Sequence, residues 1–342
     1  MTGYRVLLIA GGGTLGRYTA LELLKRGFLV DVVDQNEFLS LIRGLSFIKA
    51  NVTDSIIREL LQTHRYDAII DFLHYPDYQM FINRAKYLMT HCEQLIFLSS
   101  YRVYANEEHP IRETSPLLLD VIKDEYFLAN EDYAIPKARA ERLLVAMKQK
   151  NWTIIRPLIS FSHLRLDMVT LGAHTLLDRA RKGKLIILPA QARNVAAGIG
   201  WAGNVGKMIA CLVMNEKAIG ESFTLGTGEN YTWDEVSRMY TRQIGAEFIW
   251  IDTETFLAYS SDNSYMSRCI LLYDRLYNRE IDNTKILNAT GLNNNDFMSI
   301  EDALITELTA ISQNRALLDR LETDHAIMIS NKMDCFLKQA KI

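Results

Sequence analysis

Tyr133 and Lys137 stand four residues apart in the stretch Asp132-Tyr133-Ala134-Ile135-Pro136-Lys137-Ala138-Arg139-Ala140-Glu141. On a helix that spacing puts both side chains on one face, about one turn from each other. A phenol titrates near pH ~10, so it is a poor base at neutral pH until a cation stabilises its anion. An ammonium held beside it does that, and the pair can then move a hydroxyl proton. Chance also produces Tyr-x-x-x-Lys on amphipathic helices, so the pair needs company. Two features supply it: the glycine-rich turn Gly11-Gly12-Gly13-Thr14-Leu15-Gly16, and Ser99-Ser100 upstream of the tyrosine.

The elements that must position these groups follow from the apolar pattern. Arg5–Ile9 reads as a buried strand running into the glycine turn. A helix follows through Leu21, Leu23 and Leu24 and stops at Gly27, and a second strand over 28–33 is closed by Asp34. This strand–turn–helix–strand unit is the context that gives a glycine turn meaning as a phosphate cradle. Further strands are expected over 47–50, 67–73, Gln94–Leu98 and 152–155, and helices over 56–61, Tyr78–Met89 and 131–150. Strands and helices in regular turn predict a parallel sheet wrapped on both faces.

After Arg156-Pro157 the rhythm loosens. Helices are expected over 174–182, 205–214 and Trp233–Ile244, and strands over 185–188 and 222–225. Two helices are expected over 300–342, the last amphipathic and either a docking element or a surface cover. The expected organisation is a first domain over 1–157, a smaller lobe interleaved with it over 158–300, and a helical tail over 301–342.

Composition narrows the function classes. The 342 residues are 49% hydrophobic and 23% charged, ordinary for a globular protein with a full core. A net charge of −3 gives no general attraction to nucleic acid or acidic membranes. Cys92, Cys211, Cys269 and Cys335 are scattered, which suits free thiols in a reducing compartment. The seven histidines are dispersed, with no His-Glu-x-x-His spacing, so no metal site is expected. Met1 leads straight into a strand pattern without a basic region or cleavage site. No apolar run approaches the ~20 residues that span a bilayer, so a cytoplasmic protein without a membrane partner is expected.

Taken together, several short motifs carry a resemblance. Gly11-Gly12-Gly13-Thr14-Leu15-Gly16-Arg17 matches a Gly-x-x-Gly-x-x-Gly turn with Ala10 in place of the first glycine. Ser99-Ser100-Tyr101-Arg102-Val103-Tyr104 matches a Ser-Ser-x-x-Val-Tyr strand end, and Tyr133-Ala134-Ile135-Pro136-Lys137 a catalytic helix. Ile155-Arg156-Pro157, Gly220-Glu221-Ser222-Phe223-Thr224-Leu225-Gly226 and Trp233-Asp234-Glu235 follow in order. From Arg5 to Leu292 the chain resembles the extended short-chain dehydrogenase/reductase family, the NAD-dependent epimerases and dehydratases acting largely on nucleotide sugars. The resemblance implies an α/β fold: a Rossmann-type doubly wound parallel sheet with a smaller C-terminal substrate-binding lobe.

It also implies roles. Gly11, Gly13, Thr14, Leu15 and Gly16 would hold a pyrophosphate at a helix N-terminus. Asp34 would accept from a ribose 2′-hydroxyl and repel a 2′-phosphate, favouring NAD over NADP, with Arg17 at a place where an arginine is ordinary for the family. Asn51 and Val52 would meet adenine, although Asn51 equally reads as a helix cap. Phe72, Leu73, His74 and Pro157 would line the cofactor, although His74 reads first as a structural histidine. Ser100 would orient the substrate oxygen, Tyr133 would take its proton, and Lys137 would hold down the phenol and bind ribose. Tyr101, Ser160 and Arg193 would touch substrate.

Departures limit the substrate. Tyr101-Arg102 stands where 4,6-dehydratases place Asp-Glu, which disfavours dehydration. Leu158-Ile159-Ser160-Phe161-Ser162-His163 lacks the usual Gly-Asn and Tyr-Gly-Pro, and Gly203-Asn204 replaces an acidic pair. Ala197 occupies the place of an arginine that grips a diphosphate, with Arg193 nearby. Three readings stay open: an epimerase or oxidoreductase on a sugar or nucleotide sugar, a reductase or dehydrogenase with exchangeable cofactor, and a non-catalytic relative that binds RNA or another ligand. By the same resemblance a homodimer is expected to pair through Tyr78–Met89 and 131–150.

Overall fold

The computed structural model describes residues 3–36, 42–131, 133–163, 165–262, 264–313 and 323–341. Asp132 and the connection between the two tail helices lie outside them. The chain divides into two compact units. The first comprises Met1–Ser160, Ala202–Thr227 and Asp282–Phe297; the second comprises Phe161–Trp201, Gly228–Ile281 and Met298–Ile342.

In the first unit, β1 (Arg5–Ile9), β2 (Leu29–Asp34), β3 (Leu45–Lys49), β4 (Ala68–Asp71), β5 (Gln94–Leu98), β6 (Trp152–Pro157) and the strand Glu221–Leu225 form one sheet. Its order is Glu221–Leu225, β6, β5, β4, β1, β2, β3, and every neighbouring pair is parallel. This is the Rossmann-type α/β arrangement. The winding reverses between β1 and β4, and the crevice beyond the carboxyl ends of those strands is where such sheets take ligands.

Both faces are covered, and the period-2 alternation of β1 shows how. Val6 and Leu8 pack with Ala20 and Leu23 of α1 (Thr14–Lys25) and with Val205, Met208 and Ile209 of the helix Ala202–Leu212. Leu7 and Ile9 pack on the other face with α2 (Asp54–Thr63), α3 (Tyr78–Met89) and the long helix near the middle of the chain. A strand buried on both faces reads as an unbroken apolar run, which is how β1 and β4 read.

The helices α4 (Leu118–Val121) and α5 (Glu125–Asn130) precede that long helix, and no local apolar pattern announces either. The long helix itself, α6, spans Ala134–Ala146 rather than 131–150. Pro136 sets the start: it has no N–H to give the carbonyl four residues back, so it is tolerated only in a first turn. Tyr133 is therefore the cap residue, and Lys137 N–H closes the first turn on Tyr133 O at 3.4 Å.

The second unit holds the helices Ala173–Arg181, Trp233–Ile244, Thr253–Ser260, Ile300–Ser312 and Asp324–Ala340. Its strands Ile186–Pro189 and Phe248–Ile251 pair in parallel. The buried side of the last helix, including Ile329 and Met333, accounts for its amphipathic pattern. No helix among the described residues is long and apolar enough to cross a membrane.

Candidate active site

The turn after β1 is tight. Ala10 adopts φ of +54°, a left-handed conformation that favours glycine, so the residue occupying the first glycine's place carries strain. Gly12 N–H donates to Asp34 Oδ2 at 2.9 Å, and Asn36 N–H donates to Oδ1 at 2.8 Å. Asp34 thus braces the turn, and each of its oxygens keeps a second lone pair for a hydroxyl. Arg17 Nε donates to Gly12 O at 2.7 Å, which ties the arginine to the turn.

The cradle fits a dinucleotide phosphate. No side chain caps α1 at Gly13, so the helix start offers its amides to an anion. A Cβ at Gly16 would lie 2.3 Å from Gly11 O, whereas one at Gly13 would meet nothing within 4 Å. The turn is closed on its inner side and open at Gly13. Thr14 and Leu15 form the first turn of α1, and Leu15 packs against the sheet.

Farther along the crevice, Asn51 is exposed and its carbonyl accepts from Thr53 N–H at 2.9 Å. The capping of α2 falls to Thr53, whose hydroxyl accepts from Ile56 N–H. Val52 packs into the core. Phe72 and Leu73 are half-buried against opposite sides of the sheet, and their loop is pinned by Asp71. This fully buried carboxylate accepts from Leu73 N–H at 3.0 Å and from the Tyr75 hydroxyl at 2.7 Å. Burial pushes its proton affinity up.

Lys137 is 4% exposed, and its Nζ donates to Leu98 O at 2.5 Å, at the end of β5. Its ammonium lies 5.3 Å from the centre of the Tyr133 ring. Burial lowers the lysine's proton affinity, while Tyr133, Asp71 and Glu141 raise it. Ser100 is buried and caps the short turn Tyr101–Val103, its Oγ accepting from Arg102 N–H at 3.2 Å. Its hydroxyl proton remains to be donated. The His74 ring, on an exposed residue, sits 5.3 Å from that of Tyr133.

Several organising residues were not singled out as site residues in the sequence. Glu131 is buried; its Oε2 accepts from Tyr133 N–H at 3.0 Å and Ile135 N–H at 2.9 Å, so it caps α6 from outside. Glu141 and Arg156 form a buried bidentate pair, with bonds of 2.6 and 3.0 Å, that clamps α6 to β6. Arg156 also donates to the Tyr104 hydroxyl at 2.7 Å. Burial pushes that phenol up to about 12, so it stays neutral. An acidic residue two places before Tyr133 is a readable capping signal; the pairing of Glu141 with Arg156 is tertiary and has no local one.

Tyr101 opens its turn and is buried, and Pro157 ends β6 against the strand Glu221–Leu225. Ser160 is buried and its hydroxyl donates to Leu158 O at 3.1 Å. Arg193 belongs to the second unit, where its Nε meets Asp234 Oδ1 at 3.0 Å. That unit also contains a cleft of about 600 Å³ whose walls include Arg165, Asp167, His174, Ser261 and Arg275. Among the described residues no cluster of His, Cys, Asp and Glu is arranged to hold a metal ion.

Comparison with known families gives a match over residues 7–165 to the NAD dependent epimerase/dehydratase family. No curated sequence matches the chain. Among solved structures, WbmG of Bordetella bronchiseptica in complex with NAD aligns with a TM-score of 0.68 at 18% identity, over 91% of this chain and 95% of that one. UDP-glucose 4-epimerase of Thermus thermophilus in complex with NAD aligns with a TM-score of 0.63 at 18% identity, over 90% and 99%. An epimerase of Methanothermobacter thermautotrophicus aligns with a TM-score of 0.68 at 13% identity, over 93% and 95%. At these identities the likeness is one of fold. The matched stretch contains the glycine turn, Ser100, Tyr133, Lys137 and the Glu141–Arg156 clamp.

Proposed function

We propose that the chain is an NAD-dependent epimerase or oxidoreductase acting on a hydroxyl of a sugar or nucleotide sugar. The observation that carries this reading is Lys137, an ammonium buried within 5.3 Å of the Tyr133 ring and fixed by Leu98 O. Tyr133 removes the substrate's hydroxyl proton, and the ammonium stabilises the phenolate between turnovers. Ser100 donates to the substrate oxygen and aligns it with Tyr133. The glycine turn and the start of α1 hold the cofactor pyrophosphate, and Asp34 selects the unphosphorylated ribose. Phe72, Leu73, His74 and Pro157 line the cofactor, and Asn51 and Val52 flank its adenine. When bound, the nicotinamide supplies the hydride acceptor.

Ser100, Tyr133 and Lys137 would play the same parts in an epimerase and in a dehydrogenase, which would differ in whether the cofactor stays bound through turnover or exchanges. Arg193, already paired with Asp234, is a compensated cation, so a substrate diphosphate would have to compete for it. We assign the substrate class accordingly to the sugar hydroxyl first and the nucleotide second. We also place the pairing face of a homodimer on α3 and α6, which expose Met80, Leu143 and Val145; a monomeric mass at micromolar concentration would exclude it. None of the four cysteines is in a disulfide, which suits a cytoplasmic setting.

The direct test is turnover of a panel of sugars and nucleotide sugars, with product stereochemistry read by NMR. Tyr133→Phe and Ser100→Ala should lose turnover while keeping NADH binding. Full activity in Tyr133→Phe would remove the proposed chemistry.

A further inference from the structure

A second cation, Arg102, also faces the tyrosine. Its Cζ lies 5.0 Å from the centre of the Tyr133 ring. Its Nη2 donates to Glu131 Oε1 at 3.1 Å, and the other oxygen of that buried carboxylate accepts from the amides of Tyr133 and Ile135. One carboxylate therefore fixes both the backbone of the tyrosine and the cation that faces its ring. The fork geometry of a guanidinium suits this double duty, and its charge does not titrate.

From this geometry we infer that Arg102 is a positioning residue that serves as a second, pH-independent cation for the Tyr133 phenolate. Lys137 is held in a buried site that favours losing its proton, so its support for the phenolate weakens as pH rises. Arg102 keeps its charge throughout. The groups facing the tyrosine are Lys137 on α6, Arg102 from the turn after β5, His74 from the loop after β4, and Glu131 at the cap. Asp71 and Glu141 act on Lys137. Of these, Arg102 alone is a permanent cation.

The inference deepens the proposed chemistry of Tyr133 and rests on that reading, but its test needs neither cofactor nor substrate. The ultraviolet tyrosinate band is titrated in the full chain and in Tyr133→Phe, and the difference isolates the Tyr133 midpoint. The same pair is then measured in the Arg102→Gln background. Arg102→Gln removes the cation and leaves the buried Glu131 carboxylate unpaired beside the tyrosine, and both changes should raise the midpoint, together by about one pH unit. Arg102→Lys, which keeps the charge, should leave it within a few tenths. An unchanged midpoint in Arg102→Gln overturns the inference. If that variant does not fold, Arg102→Lys decides: a rise of about one unit despite the retained charge refutes an electrostatic role. A shifted midpoint in a chain that binds no NAD would sink the redox reading and leave this inference standing.

Discussion

Lys137→Met removes a buried ammonium while keeping most of the side chain's volume, and the balance of forces on that ammonium sets the sign of the stability change. The ammonium regains a hydrogen bond to Leu98 O, worth about 1.5–3 kcal/mol for a charged donor. It also faces the rings of Phe97 and Tyr133 at 5.5 and 5.3 Å, contacts of about 0.5–2 kcal/mol each. Against these stands the cost of burying an ion, several kcal/mol even after relaxation. The lowered proton affinity of Lys137 says that the cost wins. We expect Lys137→Met to be more stable than the parent by about 1–2 kcal/mol at pH 7, and to lose turnover. The pH dependence derives from the same shift. Between the depressed folded value and the ordinary lysine value near ~10.4, the unfolded chain binds more protons than the folded one. Stability of the parent therefore rises with pH across that window, and the advantage of the variant narrows. Urea denaturation of both proteins at neutral and alkaline pH reads this directly. A variant less stable at pH 7, or a gap that does not narrow on the way to alkaline pH, would refute the reasoning.

Ala10→Gly should relieve the left-handed strain at φ +54°, offset in part by the extra freedom of glycine in the unfolded chain, for a net gain of about 0.5–1 kcal/mol in urea denaturation. Glu141→Gln leaves the buried Arg156 guanidinium without its carboxylate and should cost about 3–5 kcal/mol by the same assay. Asp34→Ser removes the brace at Gly12 N–H together with the charge at the proposed ribose site. NADH affinity, followed by its fluorescence, should fall roughly tenfold or more while NADPH gains relative to NADH.

The sheet was legible because its signals are local. The helix Tyr78–Met89 starts where Asp77 accepts from Gln79 N–H, and Trp233–Ile244 begins at a Thr232–Glu235 capping box and stops at left-handed Gly245. Strand Gln94–Leu98 is a plain apolar run. The helix pattern starts at Glu131, ahead of the true start of α6, because Pro136 dictates the first turn. Helices such as Leu118–Val121 and the strand Phe248–Ile251 are too short to show a period, and tertiary packing decides them. The candidate site divides the same way. Spacing pointed to the glycine turn, Asp34, Ser100, Tyr133 and Lys137 as a set. It carried no sign that Arg102 and His74 flank the Tyr133 ring, or that Asp71 is buried near Lys137. Those relations join residues from separate strand ends, and only the folded sheet brings them together.

The central claim is that the first unit holds NAD beside Tyr133. Its most direct test is to purify the full chain, denature it, and assay the supernatant for released NAD(H) by absorbance and mass, then titrate the emptied or empty protein with NADH and NADPH. The expected result is either stoichiometric NAD(H) on release, which marks internal redox, or micromolar binding of NADH in preference to NADPH, which marks a dehydrogenase or reductase. A protein that releases no nicotinamide cofactor and binds neither form would contradict it and leave the fold serving a binding role.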